Sequence, residues 1–322
     1  MNSPGFPIAA VCLLLACASH AADKETCETH SEKEPTLCLY EPNTIGYTQD
    51  SDDVGFMDFK ISVRYQLFPD WTTRGLNHVI TGLGNDVGFY FAFTGRFGQY
   101  IGTRESAPVI GKRFNPKLFV RYWTDESRLG YVDFAFLAHE SNGQSIDNPA
   151  EYQLAQSVAE RPEFANDHIS RGWDYLELVW KKVPHYDEGK TSLTTYVTLK
   201  YFLPDGLLQG KPEEYNTWEN HPEGKPRNRV NGVAGMLKFH QKGAWWTVGE
   251  NKWALLSDIK LVAAYETGYR EIFQYSTVRL EAGTKLMQLP LNLWAQKGYN
   301  SDLAQYYKKV TSWGIEVQIG SF

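Results

Sequence analysis

The sequence lacks long apolar runs and lacks an excess of positive charge. No stretch approaches the roughly 18 apolar residues that a membrane-spanning helix requires, which excludes a helical membrane protein. The 322 residues carry a formal net charge of -6, which argues against a dedicated nucleic-acid binder. Cysteine is scarce, at four residues, and the length is that of one or two domains.

Aromatic residues, by contrast, are abundant, with 10 Trp, 19 Tyr and 17 Phe. A membrane β-barrel carries such residues in girdles at the two membrane surfaces, and its alternating strands keep the average hydropathy low. A soluble β-protein would show a similar composition. Composition by itself therefore leaves both classes open.

The N-terminus predicts export. Ile8 to Ala18 form an apolar run of the length of a secretory h-region, and the small residues before Ala21 suit cleavage after it. We therefore assign residues 1–21 to a signal peptide. The segment before the run has no Lys or Arg, and Leu14-Leu15-Ala16-Cys17 leaves a lipidated N-terminus as the alternative.

Two of the four cysteines, Cys12 and Cys17, lie in the predicted signal peptide. Cys27 and Cys38 remain, and an even pair in an oxidising compartment predicts a disulfide between them. Metal binding is the weaker alternative, because two thiols make an incomplete site and only His30 lies near.

The body of the chain alternates apolar and polar residues with a period of two. From Asp58 to Leu67, for example, Phe59, Ile61 and Val63 share one face. Similar alternation occurs at 87–94, 117–122, 195–203, 259–265, 289–295 and 313–320. About eleven such segments are typical of a membrane barrel, and the even strand number of these barrels predicts a twelfth.

The connections between these segments alternate between short and long. The turn 124–130 is short, and the long connections are 98–115, 140–172 and 204–230. In outer-membrane barrels short turns face the periplasm and long loops face outside. We therefore predict an all-β protein whose residues 51–322 form a twelve-stranded antiparallel transmembrane β-barrel of the bacterial outer membrane. Residues 22–50 would precede it as a periplasmic segment, and a soluble β-sandwich is the alternative fold.

The segment His139-Glu140-Ser141-Asn142-Gly143 carries the candidate chemistry. Residues two apart on a strand point to the same face, so His139 and Ser141 would lie side by side. An imidazole in that position can take the serine proton as the hydroxyl attacks a carbonyl. Gly143 would let a backbone N–H approach the developing oxyanion. Taken alone, His-x-Ser is weak evidence, since two polar residues at a strand end are common.

Asp174 strengthens this assignment. It shares its face with Leu176, Leu178 and Trp180, an apolar stripe that indicates the lipid side. A carboxylate facing lipid costs roughly 1–3 kcal/mol unless it is paired. His139, on the adjacent predicted strand, is the expected partner. The faces of residues 131–137 do not assign cleanly, so the outward placement of His139 rests on Asp174.

In these residues the chain resembles the outer-membrane phospholipase A family. His139 to Gly143, followed by Ser170-Arg171-Gly172-Trp173, is similar to the family's signature. Further likeness covers most of the chain beyond the signal peptide, at 42–49, 105–108, 115–119, 298–303 and the closing strand to Phe322. The resemblance implies a twelve-stranded barrel that hydrolyses acyl esters of phospholipids and lysophospholipids, with calcium and as a reversible homodimer. It implies Ser141 as nucleophile, His139 as general base and Gly143 at the oxyanion.

The resemblance also implies calcium ligands, the Ser106 side chain, the Gln144 carbonyl and the Ser170 side chain. A further acidic ligand would be Glu219, with Glu223 as the alternative. Oxygen ligands of this kind suit calcium. The chain departs from the family in two places: Asp174 stands where the best-known members have Asn, and the loop 144–169 is longer.

Two further expectations concern partners and surfaces. A catalytically silent barrel acting as a porin, receptor or anchor is the alternative function. The basic run from Lys225 to Arg229 is expected to be a solvated loop that contacts lipopolysaccharide phosphates.

Overall fold

The computed structural model describes residues 37–51, 54–68, 87–100, 109–124, 129–186, 190–208, 226–249 and 253–319. Its strands are β1 (Leu37–Leu39), β2 (Asn43–Asp50), β3 (Gly55–Leu67), β4 (Val87–Tyr100), β5 (Ile110–Trp123), β6 (Tyr131–Ser141), β7 (Gly172–Lys182), β8 (His185–Tyr186), β9 (Thr191–Phe202), β10 (Gly232–Val248), β11 (Trp253–Gly268), β12 (Thr277–Leu286), β13 (Leu289–Gly298) and β14 (Val310–Ile319). The helices are α1 (Pro149–Val158), a 3-10 helix (Pro162–His168) and α2 (Arg227–Val230). None of the helices in these ranges is long and apolar enough to cross a membrane.

Twelve of the strands close into an antiparallel barrel. Each barrel strand pairs with the next along the chain, and β14 pairs with β2 to close the sheet. The two short strands add to this barrel: β1 extends the edge of β3 beyond β2, and β8 pairs with the start of β9. The predicted twelve-stranded barrel is confirmed.

The barrel begins before the predicted boundary at residue 51. Asn43–Asp50 is a full barrel strand between β14 and β3, so the boundary between the periplasmic segment and the barrel was placed too late. This strand has few apolar residues, which is why its alternation is weak in the sequence. Closure requires it, because without β2 the edge of β14 would have no partner along its length.

The predicted signal peptide, residues 1–21, lies outside the described residues. Cys38, on β1, is disulfide-bonded. Its predicted partner, Cys27, also lies outside the described residues, so the pairing itself stays a prediction.

The period of two seen in the sequence separates an apolar outer surface from a polar interior. On β3, for example, Ile61 and Tyr65 are exposed on the outside, while Ser62 and Arg64 are buried inside. Other exposed apolar residues of the outer surface are Phe91, Phe134, Phe136, Leu178, Trp180, Leu199, Tyr201, Leu237, Leu261, Leu280, Leu293, Trp313 and Ile315. This belt is the surface that a barrel presents to lipid.

The two ends of the barrel differ in the lengths of their connections. One end carries the long connections 142–171 and 203–231. The opposite end carries 124–130, 183–190, 249–252 and 287–288, with 68–86 as its one long connection. The end with the long loops is the outer end by the usual polarity of these barrels. Ser141, the last residue of β6, therefore lies near the outer boundary of the membrane.

Charged and aromatic side chains fill the interior. Arg121 donates to both carboxylate oxygens of Asp133 at 2.7 Å, and Lys117 donates to Glu177 at 2.6 Å. All four side chains are buried. The largest apolar cluster of the described residues surrounds these pairs and contains Tyr90, Phe119, Trp173, Tyr175, Phe202, Tyr306 and Tyr307. At these levels the barrel is a packed core.

The long connection between β6 and β7 folds into a small unit of its own. Helix α1 is capped by the Asn148 side chain, which accepts from the Glu151 N–H at 3.0 Å. Ile146, Tyr152, Ala165 and Ile169 form a separate buried cluster between α1 and the 3-10 helix. The residues of this long loop therefore form ordered structure with a buried cluster of their own.

Candidate active site on the outer face of the barrel

A β-bulge in β6 decides which of its side chains face the membrane. Two residues of β5 lie opposite the three residues Ala135–Leu137, and Phe136 is the extra one. The same irregularity appears in the pairing with β7. As a result Ala135 and Ala138 are both buried inside, while Phe134 and Phe136 are exposed outside. The bulge explains why residues 131–137 show no clean alternation in the sequence.

Beyond the bulge the alternation is regular, and it sorts the candidate residues. Ala138 and Glu140 are buried on the inner face. His139 and Ser141, which alternate with them, therefore lie on the outer face, as predicted. The nucleophile and base proposed from the sequence thus share the surface that carries the apolar belt.

Asp174 lies directly opposite His139 in the β6–β7 ladder. The Nδ1 atom of His139 is 2.6 Å from Oδ1 of Asp174, with side-chain exposures of 16% and 1%. An ionised carboxylate only accepts hydrogen bonds, so Nδ1 carries the proton in this contact and Nε2 is left as the acceptor. The structure thus brings together the predicted base and the predicted orienting acid.

Gly172 keeps the space beside these side chains open. It pairs with Ser141 in the same ladder. A Cβ atom on Gly172 would lie 3.3 Å from Cε1 and 3.6 Å from Nε2 of His139, and 3.7 Å from Cβ of Ser141. The acceptor edge of the imidazole and the serine side chain therefore border one small space. Its position suits a proton transfer between them.

The turn after Ser141 is held by Asn142, whose role the sequence did not reveal. Its buried side-chain amide donates to the Ile169 carbonyl at 2.7 Å, and its Oδ1 accepts from the Arg171 N–H at 2.9 Å. Gly143 follows with φ +63°, a left-handed conformation that glycine adopts without steric cost. The backbone next to the serine is therefore fixed by the opposite end of its own loop.

Two of the four predicted calcium ligands lie in the described residues. The segments carrying Gln144 and Ser170 run together, because Ile146 donates to the His168 carbonyl at 3.0 Å and accepts from the Ser170 N–H at 2.8 Å. Ser106 and Glu219 lie outside the described residues, as does Glu223. Across the residues that the structure describes, no group of three or more His, Cys, Asp or Glu side chains is arranged for a metal.

Glu140 lies between His139 and Ser141 in sequence but points into the barrel. Its Oε1 accepts from Arg227 Nε at 2.7 Å and lies 2.6 Å from Nη2. Both side chains are fully buried. The basic run was thus interpreted wrongly for Arg227, which is an interior residue. Arg227 and Glu140 are 87 positions apart in the sequence, so no local signal marks this pair.

The closed twelve-stranded barrel with an apolar outer belt defines the class, a bacterial outer-membrane β-barrel protein. Within that class the structure is similar to outer membrane phospholipase A from Escherichia coli. The TM-score is 0.56 and the sequence identity 18%, over 91% of this chain and 95% of that chain.

The outer membrane phospholipase of Salmonella typhi, described as a dimer with bound calcium, is also similar. Its TM-score is 0.53 and its identity 19%, over 89% of this chain and 93% of that chain. No family model and no curated protein matches the sequence. At such low identity the likeness establishes a shared fold alone.

Proposed function

We propose that this protein is a calcium-dependent serine hydrolase of the outer membrane that cleaves acyl esters of phospholipids. Its activities would be those of a phospholipase A1, a phospholipase A2 and a lysophospholipase. One observation carries the proposal: a buried carboxylate, Asp174, binds the imidazole of His139 on the lipid-facing surface, next to Ser141. A carboxylate on that surface is costly, and an ionisable group in such a position indicates a functional site.

The three side chains have distinct roles in the proposed reaction. Ser141 attacks the ester carbonyl while Nε2 of His139 accepts its proton, and Asp174 holds the ring in the productive tautomer and stabilises the imidazolium. The backbone N–H of Gly143 donates to the oxyanion of the tetrahedral intermediate. His139 then gives the proton to the leaving alcohol as the ester C–O bond breaks, which leaves the acyl group on Ser141. Water, deprotonated by His139, attacks this acyl-serine, and the bond to the serine oxygen breaks to release the fatty acid and restore the hydroxyl.

The location of the site supports a lipid substrate. His139 and Ser141 lie near the outer end of β6, and the same strand carries the exposed Phe134 and Phe136 toward the membrane interior. A phospholipid in the outer leaflet would place its ester groups near the serine and its acyl chains along this apolar surface. The enzyme would act when phospholipid reaches that leaflet.

The resident calcium would be held by oxygen atoms, the Gln144 carbonyl and the Ser170 hydroxyl, together with Ser106 and Glu219. These donors fit a hard cation. The backbone pairing of Ile146 with His168 and Ser170 brings the segments of two of the four proposed ligands, Gln144 and Ser170, next to each other. Bound calcium would polarise the ester carbonyl. The calcium-bound dimer of the Salmonella neighbour supports both the cofactor and a reversible homodimer.

The test is release of fatty acid from mixed detergent-phospholipid micelles by the purified protein, with calcium and with chelator. Ser141→Ala should lower release by on the order of 10³-fold or more. Fatty-acid release that requires both Ser141 and calcium supports ester hydrolysis as the reaction, Ser141 as the nucleophile and calcium as the cofactor. If Ser141→Ala releases fatty acid as fast as wild type, Ser141 is not the nucleophile.

The alternative, a silent barrel acting as a porin, receptor or anchor, makes a different prediction. A porin needs a wide polar channel, but buried ion pairs and aromatic side chains occupy the interior at the level of Arg121, Lys117 and Trp173. Single-channel recordings should therefore show no porin-like conductance. Large, steady conductance without lipase activity would favour the porin.

A further inference from the structure

The connection that follows β9 contacts Asp174, the candidate catalytic acid. The Leu203 N–H donates to the Asp174 backbone carbonyl at 2.9 Å, which continues the β7–β9 pairing past Phe202. The chain then turns, and the Leu208 N–H donates to Oδ2 of Asp174 at 2.5 Å. Since Oδ1 contacts His139, both carboxylate oxygens of Asp174 are occupied by donors.

Gly206, between these two contacts, packs on the carboxylate itself. A Cβ atom at residue 206 would overlap Oδ2 and Cβ of Asp174 and would lie 2.5 Å from its Cγ. The connection also explains the burial of Asp174, which is 1% exposed, although Leu178 and Trp180 on the same face of β7 are 39% and 37% exposed. Residues 203–208 therefore cover Asp174 and leave the rest of this face to the membrane.

We propose that residues 203–208 are the positioning element of the active site, with Gly206 and Leu208 acting through Asp174. This inference rests on the proposed function. The torsion that orients a carboxylate has a broad minimum, so neighbouring contacts must set it. The Leu208 N–H holds Oδ2 of Asp174, and the backbone of Gly206 packs against the carboxylate. Oδ1 is therefore directed at Nδ1 of His139. These contacts fix the tautomer of His139 and the orientation of its ring.

The same geometry explains why an acid suits position 174. The N–H groups of Leu208 and of the His139 ring both point at this side chain, and each requires an acceptor. A carboxylate offers an acceptor to both, whereas an amide would turn its NH₂ group toward one of the two donors. Leu208 thus makes the site selective for Asp over Asn.

The experiment compares Gly206→Ala with Gly235→Ala. Gly206 does not have the left-handed φ that would itself penalise alanine, so the substitution acts through its contact with Asp174. Gly235, on β10, is the matched control, because a Cβ there would meet nothing within 4 Å. Gly206→Ala should lower kcat for phospholipid hydrolysis by about 100-fold with KM nearly unchanged. Gly235→Ala should match wild type.

Asp174→Gly supplies the coupling test. Adding Gly206→Ala to Asp174→Gly should cause no further loss of kcat, because the carboxylate and the Cβ atom that the new methyl group would overlap are both absent. Independent, additive losses would overturn the proposal, as would a Gly206→Ala enzyme as active as the control.

A second readout does not depend on turnover. In ¹⁵N-histidine-labelled protein, assigned with His139→Ala, the Nδ1–H proton should give a strongly downfield resonance in wild type and in Gly235→Ala. Gly206→Ala should shift or remove it. A resonance that is unchanged in Gly206→Ala overturns the positioning role, whether or not the wild type is active. If the wild type is inactive but Gly206→Ala still loses the resonance, the positioning role stands and only the proposed function is contradicted.

Discussion

Ala135 and Ala138 lie on the same inner face of β6 although they are three positions apart, because Phe136 is an extra residue in the strand. The bulge joins two regular halves of the strand. One half carries the apolar residues of the belt, and the other carries His139 and Ser141. A bulge also increases the local twist, which re-aims the side chains that follow it.

Deletion of Phe136 should therefore be tolerated by the fold. Removing the extra residue restores strict alternation and leaves Ala135 and Ala138 inside and His139 outside. Deletion of Phe134 is the matched control. It would move Phe136 into the interior position of Ala135, which is 1% exposed. Heat-modifiable mobility on gels should show a folded barrel for the first deletion and a less stable one for the second.

If both deletions destabilise the barrel equally, the bulge is not the feature that sets the faces of β6. In the Phe136 deletion, loss of local twist should lower activity, since a misplacement of about 1 Å can cost about 10²-fold in rate.

Asp174→Asn should keep measurable hydrolysis, because its carbonyl oxygen can still accept from Nδ1 of His139. The cost should be about 10- to 100-fold in kcat, since the amide leaves the Leu208 N–H facing another donor. Asp174→Ala should lose more, on the order of 10³-fold. Fatty-acid release from micelles measures both. Complete inactivity of a normally folded Asp174→Asn protein would show that the negative charge is required.

Arg227→Met should lower the free energy of unfolding by about 3–5 kcal/mol, because it leaves the Glu140 carboxylate buried without its closest cation. The double variant Arg227→Met with Glu140→Leu should recover most of that loss, since neither charge remains. Denaturant titration of the detergent-solubilised barrel provides the measurement. A double variant as unstable as Arg227→Met would show that packing of Arg227, which lies near Trp173 and Tyr306, outweighs its charge.

Gly143→Ala should lower kcat by up to about 10²-fold, as expected when an oxyanion donor is displaced. The left-handed φ of +63° disfavours alanine, and the new Cβ would lie 2.9 Å from Cε2 of Phe114. Adding Phe114→Leu relieves the contact but not the backbone strain, so the double variant should remain impaired. Full recovery in the double variant would assign the defect to the contact alone, and full activity of Gly143→Ala would contradict the oxyanion role.

The outward placement of the site could be predicted because it depends on local alternation. The alternation of the sequence predicts that Asp174 shares a face with Leu178 and Trp180, and the structure has the same arrangement. Cross-strand pairing then places His139 opposite Asp174. The strand Asn43–Asp50 was missed because it has few apolar residues and is specified by closure with β14.

The residues that hold the site in place could not be predicted. Arg227 reaches Glu140 across 87 positions, and Leu208 reaches Asp174 across 34. Nothing in the local sequence marks either contact. A basic residue in a loop is ordinarily solvated, whereas Arg227 is buried inside the barrel because of contacts that form only in the folded chain.

The sequence by itself determined the barrel and the outward face of Asp174, because a period of two assigns each side chain of a regular strand to a face. The outward placement of His139 followed from its expected pairing with Asp174. The tertiary structure alone decided how that pair is held. The bulge at Phe136, the cover of Gly206 and Leu208 on Asp174, and the buried Arg227–Glu140 pair all arise where distant segments meet. Such contacts depend on packing and chain closure, which local patterns do not encode.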